Sequence, residues 1–159
     1  EDGKPALKEC YTDEIPLCGN VEFKKFKHVK KYIAAIYDRI KEDGFTEHDA
    51  WFLVTNYGKQ TEVVLENYES LKNAYIYERM AIAELRFGID YEMVQNPMDF
   101  FVRRTGRLYF DIDSVRSLML PILQEFKSIY KVDDTQLDVW TLELNRLLKD
   151  HSDFSMDRV

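Results

Sequence analysis

Cysteine is nearly absent from this 159-residue chain, with only Cys10 and Cys18. Metal sites usually draw three or four ligands from tight pairs, so this spacing points to no metal site. Two free cytosolic thiols are the expectation. No apolar run approaches the roughly 20 residues that a bilayer-spanning helix needs. The opening Glu1, Asp2, Gly3, Lys4 and Pro5 are polar and lack a signal-peptide pattern. No GxGxxG or P-loop pattern of glycines occurs, which leaves no visible cradle for a dinucleotide. Histidine is sparse, with His28, His48 and His151, and neither His28 nor His48 has an obvious carboxylate or nucleophile at helical spacing, so solvated or capping roles are expected. Neither an EF-hand loop nor a paired ExxH di-iron pattern is present. There is no initiator Met, and a fragment of something longer is the expectation.

What is present describes one folded domain. The length suits a single domain, and 45% hydrophobic with 32% charged residues is a globular balance. The net charge of −7 argues against general nucleic-acid binding, which needs a net basic face, although it leaves room for a local basic patch. An acidic domain is also not an obvious binder of anionic lipid.

The start of the chain reads differently from the rest. Residues 6–11 resemble the end of a strand, and residues 13–20 hold Pro16 and Gly19 in a connecting loop. A lone strand needs partners, so its sheet is expected to lie outside this chain. From Phe23 the period is helical. Val29, Ile33, Ile36 and Ile40 share one face, and Gly44 is a stop. Thr46 is an N-cap with Glu47 and Asp49 behind it, and Gly58 ends that helix. A third helix carries Val63, Val64, Leu65 and Tyr68. A fourth has Ile76, Met80, Ala83, Phe87 and Val94 on one stripe, with Gly88 marking a close crossing or a kink. Asn96, Pro97 and Asp99 open a short fifth helix that Gly106 closes. Asp111 or Asp113 caps a sixth helix, in which Pro121 predicts a kink. Asp133 or Asp134 caps the last, with Leu137, Trp140, Leu144 and Leu147 inward. The expected fold is all-α, an orthogonal bundle of about seven helices. Residues 1–22 are read as a linker from a missing domain, 23–151 as the helical domain and 152–159 as a frayed tail.

No catalytic, cofactor-binding or metal-binding set emerges. The sharpest polar feature is Arg103, Arg104 and Arg107, three arginines in five residues around Thr105 and Gly106. Guanidinium forks match phosphate oxyanions. A structural alternative stands beside this. Asp99 lies four residues before Arg103, and Glu84 or Glu92 is in reach of the same region. The arginines then tie the fifth helix to the fourth, or contact another domain. Tyr11, Ile15, Leu17 and Phe23 precede the bundle and are candidates for an apolar patch where such a domain sat.

These residues also carry a resemblance. The run Glu84, Leu85, Arg86, Phe87, Gly88, Ile89, Asp90, Tyr91, Glu92 is followed by residues 96–111 with Asp99, Arg103, Arg104 and Thr105. Together they resemble the C-terminal domain of flavin-dependent glycerol-3-phosphate dehydrogenases and alpha-glycerophosphate oxidases. Residues 13–20 resemble the linker leaving the flavin domain, with Asn20 where a second Gly is common, and Asn56, Tyr57, Gly58 and Lys59 resemble a turn between early helices. The resemblance implies a parent enzyme whose N-terminal part holds FAD and oxidises glycerol 3-phosphate to dihydroxyacetone phosphate, passing electrons to quinone or oxygen. It implies no FAD and no catalytic residue in this chain. Asp99, Arg103, Arg104 and Thr105 carry over as a signature block with a structural or interdomain role. The implied partner is the enzyme's own N-terminal flavin domain, in a cytoplasmic parent. A homo-oligomer and peripheral contact with the inner face of the membrane stay open. Two other readings stand beside the cap domain: an independent helical interaction module, and a small regulator binding a phosphorylated ligand at the arginines.

Overall fold

The computed structural model describes residues 10–12, 14, 15, 19, 23–72 and 75–152. Among them are seven α-helices and no strand. The strand-like reading of residues 6–11 falls mostly outside the described residues. The chain divides into two compact units, residues 1–61 and 62–159.

In the first unit, α1 (Phe26–Ile40) packs on α2 (Glu47–Tyr57). Ile36 and Ile40 of α1 are buried, as are Leu53, Val54 and Tyr57 of α2. A 3₁₀ turn at Lys41–Asp43 follows α1, and Gly44 closes it at φ 102°, a conformation that costs glycine no Cβ clash. Thr46 then opens α2 with a capping box. Its Oγ1 accepts from the Asp49 N–H at 3.3 Å, and the Asp49 carboxylate accepts from the Thr46 N–H at 2.7 Å. Such a cap contributes ~1 kcal/mol.

At the far end of α2 two backbones meet. The Lys59 N–H donates to the Gly19 carbonyl at 2.8 Å. Gly58 has φ 55°, and a Cβ on it would lie 2.4 Å from the Gly19 oxygen. Gly19 has φ 83°, and a Cβ there would lie 2.9 Å from the Tyr57 oxygen. Only glycine at both positions permits this approach. The loop motif around Gly19 and the turn motif around Gly58, read separately in the sequence, are thus one clasp.

The second unit holds most of α3 (Thr61–Ser70), then α4 (Ile76–Glu92), α5 (Arg107–Phe110), α6 (Ile112–Tyr130) and α7 (Asp134–Ser152). Its core joins Leu85 of α4, Phe100 and Phe101, Val115, Ile122 and Phe126 of α6, and Leu144 of α7. Asp111 caps α6, its Oδ1 accepting from the Ser114 N–H at 3.2 Å. Asp133 caps α7, its Oδ1 accepting from the Gln136 N–H at 2.8 Å. Pro121 lies inside α6, which still runs as one element of 19 residues.

One expected stripe is corrected. Val94 does not lie on the fourth helix, because α4 stops at Glu92 and Met93 turns left-handed at φ 57°. The Val94 N–H then donates to the Gly88 carbonyl at 3.0 Å, and its side chain is fully buried. A Cβ on Gly88 would lie 2.9 Å from Val94 Cγ2. The close approach expected at Gly88 is real, but it is to the chain's own return rather than to a crossing helix.

Candidate functional site

The arginine block sits on an unusual turn. Residues Asp99–Arg104 form a π-helical turn, a rare geometry common at functional sites. Asn96 starts it as a cap, its Oδ1 accepting from the Asp99 N–H at 2.9 Å. Phe100 and Phe101 are both buried and meet edge to face at 5.1 Å. Thr105 closes the turn twice on the Phe100 carbonyl, through its N–H at 3.0 Å and its Oγ1 at 2.8 Å. Thr105 therefore serves the backbone, and its hydroxyl is engaged.

Each arginine has an acceptor within this unit. Arg103 Nη1 donates to Asp99 Oδ1 at 2.6 Å, and the other oxygen of that carboxylate accepts from the Gln95 N–H at 3.1 Å. Asp99 is nearly buried, whereas the Arg103 side chain is 76% exposed. Arg104 Nη2 donates to the Glu92 carbonyl at 2.5 Å, so Glu92 contributes its backbone oxygen. That carbonyl ends α4 and would otherwise lack a helical donor. Arg107 Nη2 meets Glu84 Oε2 at 2.5 Å, with side-chain exposures of 13% and 0%. The Arg107 guanidinium also stands 5.5 Å from the Phe100 ring centroid. Asp99, Arg103, Arg104, Thr105, Glu84 and Glu92 thus belong to one neighbourhood that fastens α4, the π turn and α5.

Other members had no signal in the sequence. Tyr130 donates its hydroxyl to the Val94 carbonyl at 2.7 Å, and Arg86 Nε donates to Glu125 Oε1 at 2.7 Å, joining α4 to α6. Burial, and then the charges of Asp90 and Asp99, push the Tyr130 phenol up from its ordinary value. Next to the block, Phe110 is 90% and Tyr109 is 58% exposed, with His151 against the Tyr109 ring at 5.3 Å. His48 stacks on Trp51 at 5.4 Å. Of the four residues suggested for an apolar patch, Tyr11 and Ile15 are exposed, and Phe23 is half-buried against Tyr32 at 5.4 Å. Leu17 lies outside the described residues. Among the described residues, no three His, Cys, Asp or Glu are grouped to hold a metal ion. No helix among them is long and apolar enough to cross a membrane.

Comparison with known proteins agrees with this architecture. The aerobic glycerol-3-phosphate dehydrogenase of Bacillus subtilis (strain 168) is 31% identical over 153 residues, covering 94% of this chain and 27% of that protein. An alpha-glycerophosphate oxidase of Streptococcus pyogenes serotype M6 is 36% identical over 85 residues, covering 52% of this chain and 13% of that protein. The structure of the glycerol-3-phosphate dehydrogenase from Bacillus halodurans, solved with FAD, matches 89% of this chain and 29% of its own, with a TM-score of 0.77 and 25% identity. The chain therefore spans under a third of the length of each of these relatives. The family described as the C-terminal domain of alpha-glycerophosphate oxidase matches residues 10–137. This chain belongs to that family of C-terminal domains.

Proposed function

We propose that this chain is the non-catalytic, helical cap of an FAD-dependent enzyme that oxidises glycerol 3-phosphate to dihydroxyacetone phosphate. The family match over residues 10–137 carries the reading. The electrons pass to quinone or to oxygen in this reading. Residues 1–22 are the linker from the flavin part, residues 23–151 the helical domain and residues 152–159 the tail.

The donor chemistry supports a chain without its own flavin site. A flavin dinucleotide needs backbone N–H groups or free guanidinium forks for its pyrophosphate. Here Arg103, Arg104 and Arg107 meet Asp99, Glu92 and Glu84. The left-handed glycines Gly44 and Gly106 serve single turns. The described residues do not fit the cofactor, which we assign to the partner part of the enzyme. Asp99, Arg104, Thr105, Glu84 and Glu92 are scaffold in this reading. Arg103, with Tyr109 and Phe110 nearby in sequence, faces the flavin part. A homo-oligomer of the parent and its peripheral contact with the membrane belong to the same reading.

Two preparations test it. The purified chain is expected to be colourless and inactive on glycerol 3-phosphate. The chain expressed together with its upstream coding region is expected to be yellow and to reduce a dye when given glycerol 3-phosphate. Flavin retention or turnover by the chain alone would sink the reading.

A further inference from the structure

Helix α7 gives one face to the core. Leu144 and Leu148 are buried, and Trp140 meets Phe126 edge to face at 5.7 Å. The opposite face is not polar throughout. Asp138, Val139, Leu142, Asn145, Arg146 and Lys149 recur three or four residues apart, so they share one stripe, and all six are exposed. Val139 is 53% and Leu142 is 74% exposed. An exposed aliphatic side chain standing alone is ordinary on any surface. These two stand in consecutive turns at the middle of the stripe, with charges to either side.

The charges are sorted by sign. Asp138 lies four residues before Leu142 and Arg146 four residues after it, about 6 Å along the axis in each direction. Lys149 extends the basic end. Among the described residues neither Asp138 nor Lys149 is in an ion pair, and Arg146 reaches only Asp150, at 3.8 Å on the same helix. Such a stripe is complementary to itself turned end for end. A half turn about Leu142 brings Asp138 of one copy level with Arg146 of the other and beside its Lys149. Parallel alignment would instead set Asp138 on Asp138 and Arg146 on Arg146.

We propose that the outer face of α7 is a docking surface for a second copy of this chain, packed antiparallel with Leu142 against Leu142 on a two-fold axis. A two-fold contact uses the same patch on both copies, which a self-complementary stripe satisfies. The aliphatic centre excludes water, and the charges around it set the direction of pairing more than its strength. Four aliphatic side chains make a small interface, so the pair is weak, with a Kd of order 0.1 mM. The net charge of −7 on each copy opposes association, but at ~0.15 M salt that repulsion is screened beyond about 8 Å. The pairing supplies a surface for the homo-oligomer of the proposed function, rests on that reading for nothing else and needs no flavin.

Sedimentation equilibrium of the 159-residue chain from about 10 µM to about 1 mM, at ~0.15 M salt, tests it. The average mass should rise from the 18.9 kDa of one copy toward twice that value and no further. Leu142→Glu loses the apolar centre and sets two carboxylates on the axis, so association should weaken by about tenfold or more. Asp138→Lys should weaken it about tenfold, and so should the pair Arg146→Glu, Lys149→Glu. Combining all three charge reversals restores opposite signs across the axis and should bring association back to within about threefold of wild type. These side chains are exposed, so every variant should keep the wild-type helical spectrum. The proposal is overturned by a chain that stays monomeric to ~1 mM, by growth past the dimer, or by wild-type association of Leu142→Glu. A triple reversal no tighter than its parts overturns it as well. None of these outcomes bears on flavin, which the two preparations above read by colour and turnover.

Discussion

Replacing Arg107 with Met removes a guanidinium from a carboxylate that is shut off from solvent. The Glu84 side chain is 0% exposed and lies 2.5 Å from Arg107, itself 13% exposed. Both charges were desolvated when α5 closed on α4, and each offsets that cost for the other. Removing one member of such a pair costs roughly 3–5 kcal/mol, because the remaining charge keeps its desolvation penalty. At roughly 2–4 °C per kcal/mol for a chain of this size, Arg107→Met should lower Tm by about 6–20 °C. Glu84→Gln should fall in the same range or somewhat below, since the amide keeps the shape and some hydrogen bonding. The double variant Glu84→Leu, Arg107→Met removes both charges and fills the space with apolar atoms. It should recover most of the loss or exceed the parent chain. Urea and thermal unfolding of the parent chain, Arg107→Met, Glu84→Leu and the double variant closes a double-mutant cycle, with Glu84→Gln measured beside it. A single-variant loss below ~1 kcal/mol, the range of an exposed pair, would refute the reasoning. So would a double variant as unstable as the singles.

Three further perturbations probe the rest of the molecule. Gly58→Ala places a Cβ 2.4 Å from the Gly19 oxygen at φ 55°, a backbone clash that no rotamer relieves. It should cost roughly 2–3 kcal/mol in a urea titration followed by circular dichroism. Gly88→Ala should change sign with its neighbour. Alone it presses on Val94 Cγ2 at 2.9 Å and destabilises, whereas beside Val94→Ala it should yield the helix-propensity gain of ~1 kcal/mol. Destabilisation in both backgrounds would count against the contact. Tyr130 makes stability depend on alkaline pH. Its folded phenol is raised by burial, then by Asp90 and Asp99, so the folded state holds the proton where the unfolded state has lost it. The contribution is full below the ordinary tyrosine value and is lost as pH rises through the higher folded value. Tyr130→Phe should flatten that alkaline limb of a Tm-against-pH curve, and an unchanged slope would exclude the assignment.

Features that depend on neighbours in sequence were legible without a structure. Thr46, Asn96, Asp111 and Asp133 act as caps because a short polar side chain serves an N–H two or three residues on. Six of the seven α-helices follow from the apolar period, whereas the expected fifth helix is the π turn at Asp99–Arg104 and α5 at Arg107–Phe110, beyond the expected stop at Gly106, was not read. The end of α4 was misread for a physical reason. The apolar period runs on to Val94, and nothing about a Met at residue 93 announces a left-handed turn that residues other than glycine adopt only rarely. The π turn was hidden because Asp99 and Arg103 sit four apart, the spacing an α-helix would also pair. The couplings of Arg107 with Glu84 and of Tyr130 with Val94 join residues 23 and 36 apart in sequence, and only the folded chain sets such distances.

The clasp between Gly19 and Gly58 bears on where this domain can be cut. It joins one main chain to another, so its two glycines carry it through their backbones. Gly19 itself is not expendable. A chain trimmed to begin at Phe23, the first residue of helical period, would discard half of the clasp and leave the Lys59 N–H to water. A trimmed protein intended for crystals or fusion should keep Gly19 with a few residues ahead of it, and its melting curve beside that of the shorter version gives the value of that single backbone join.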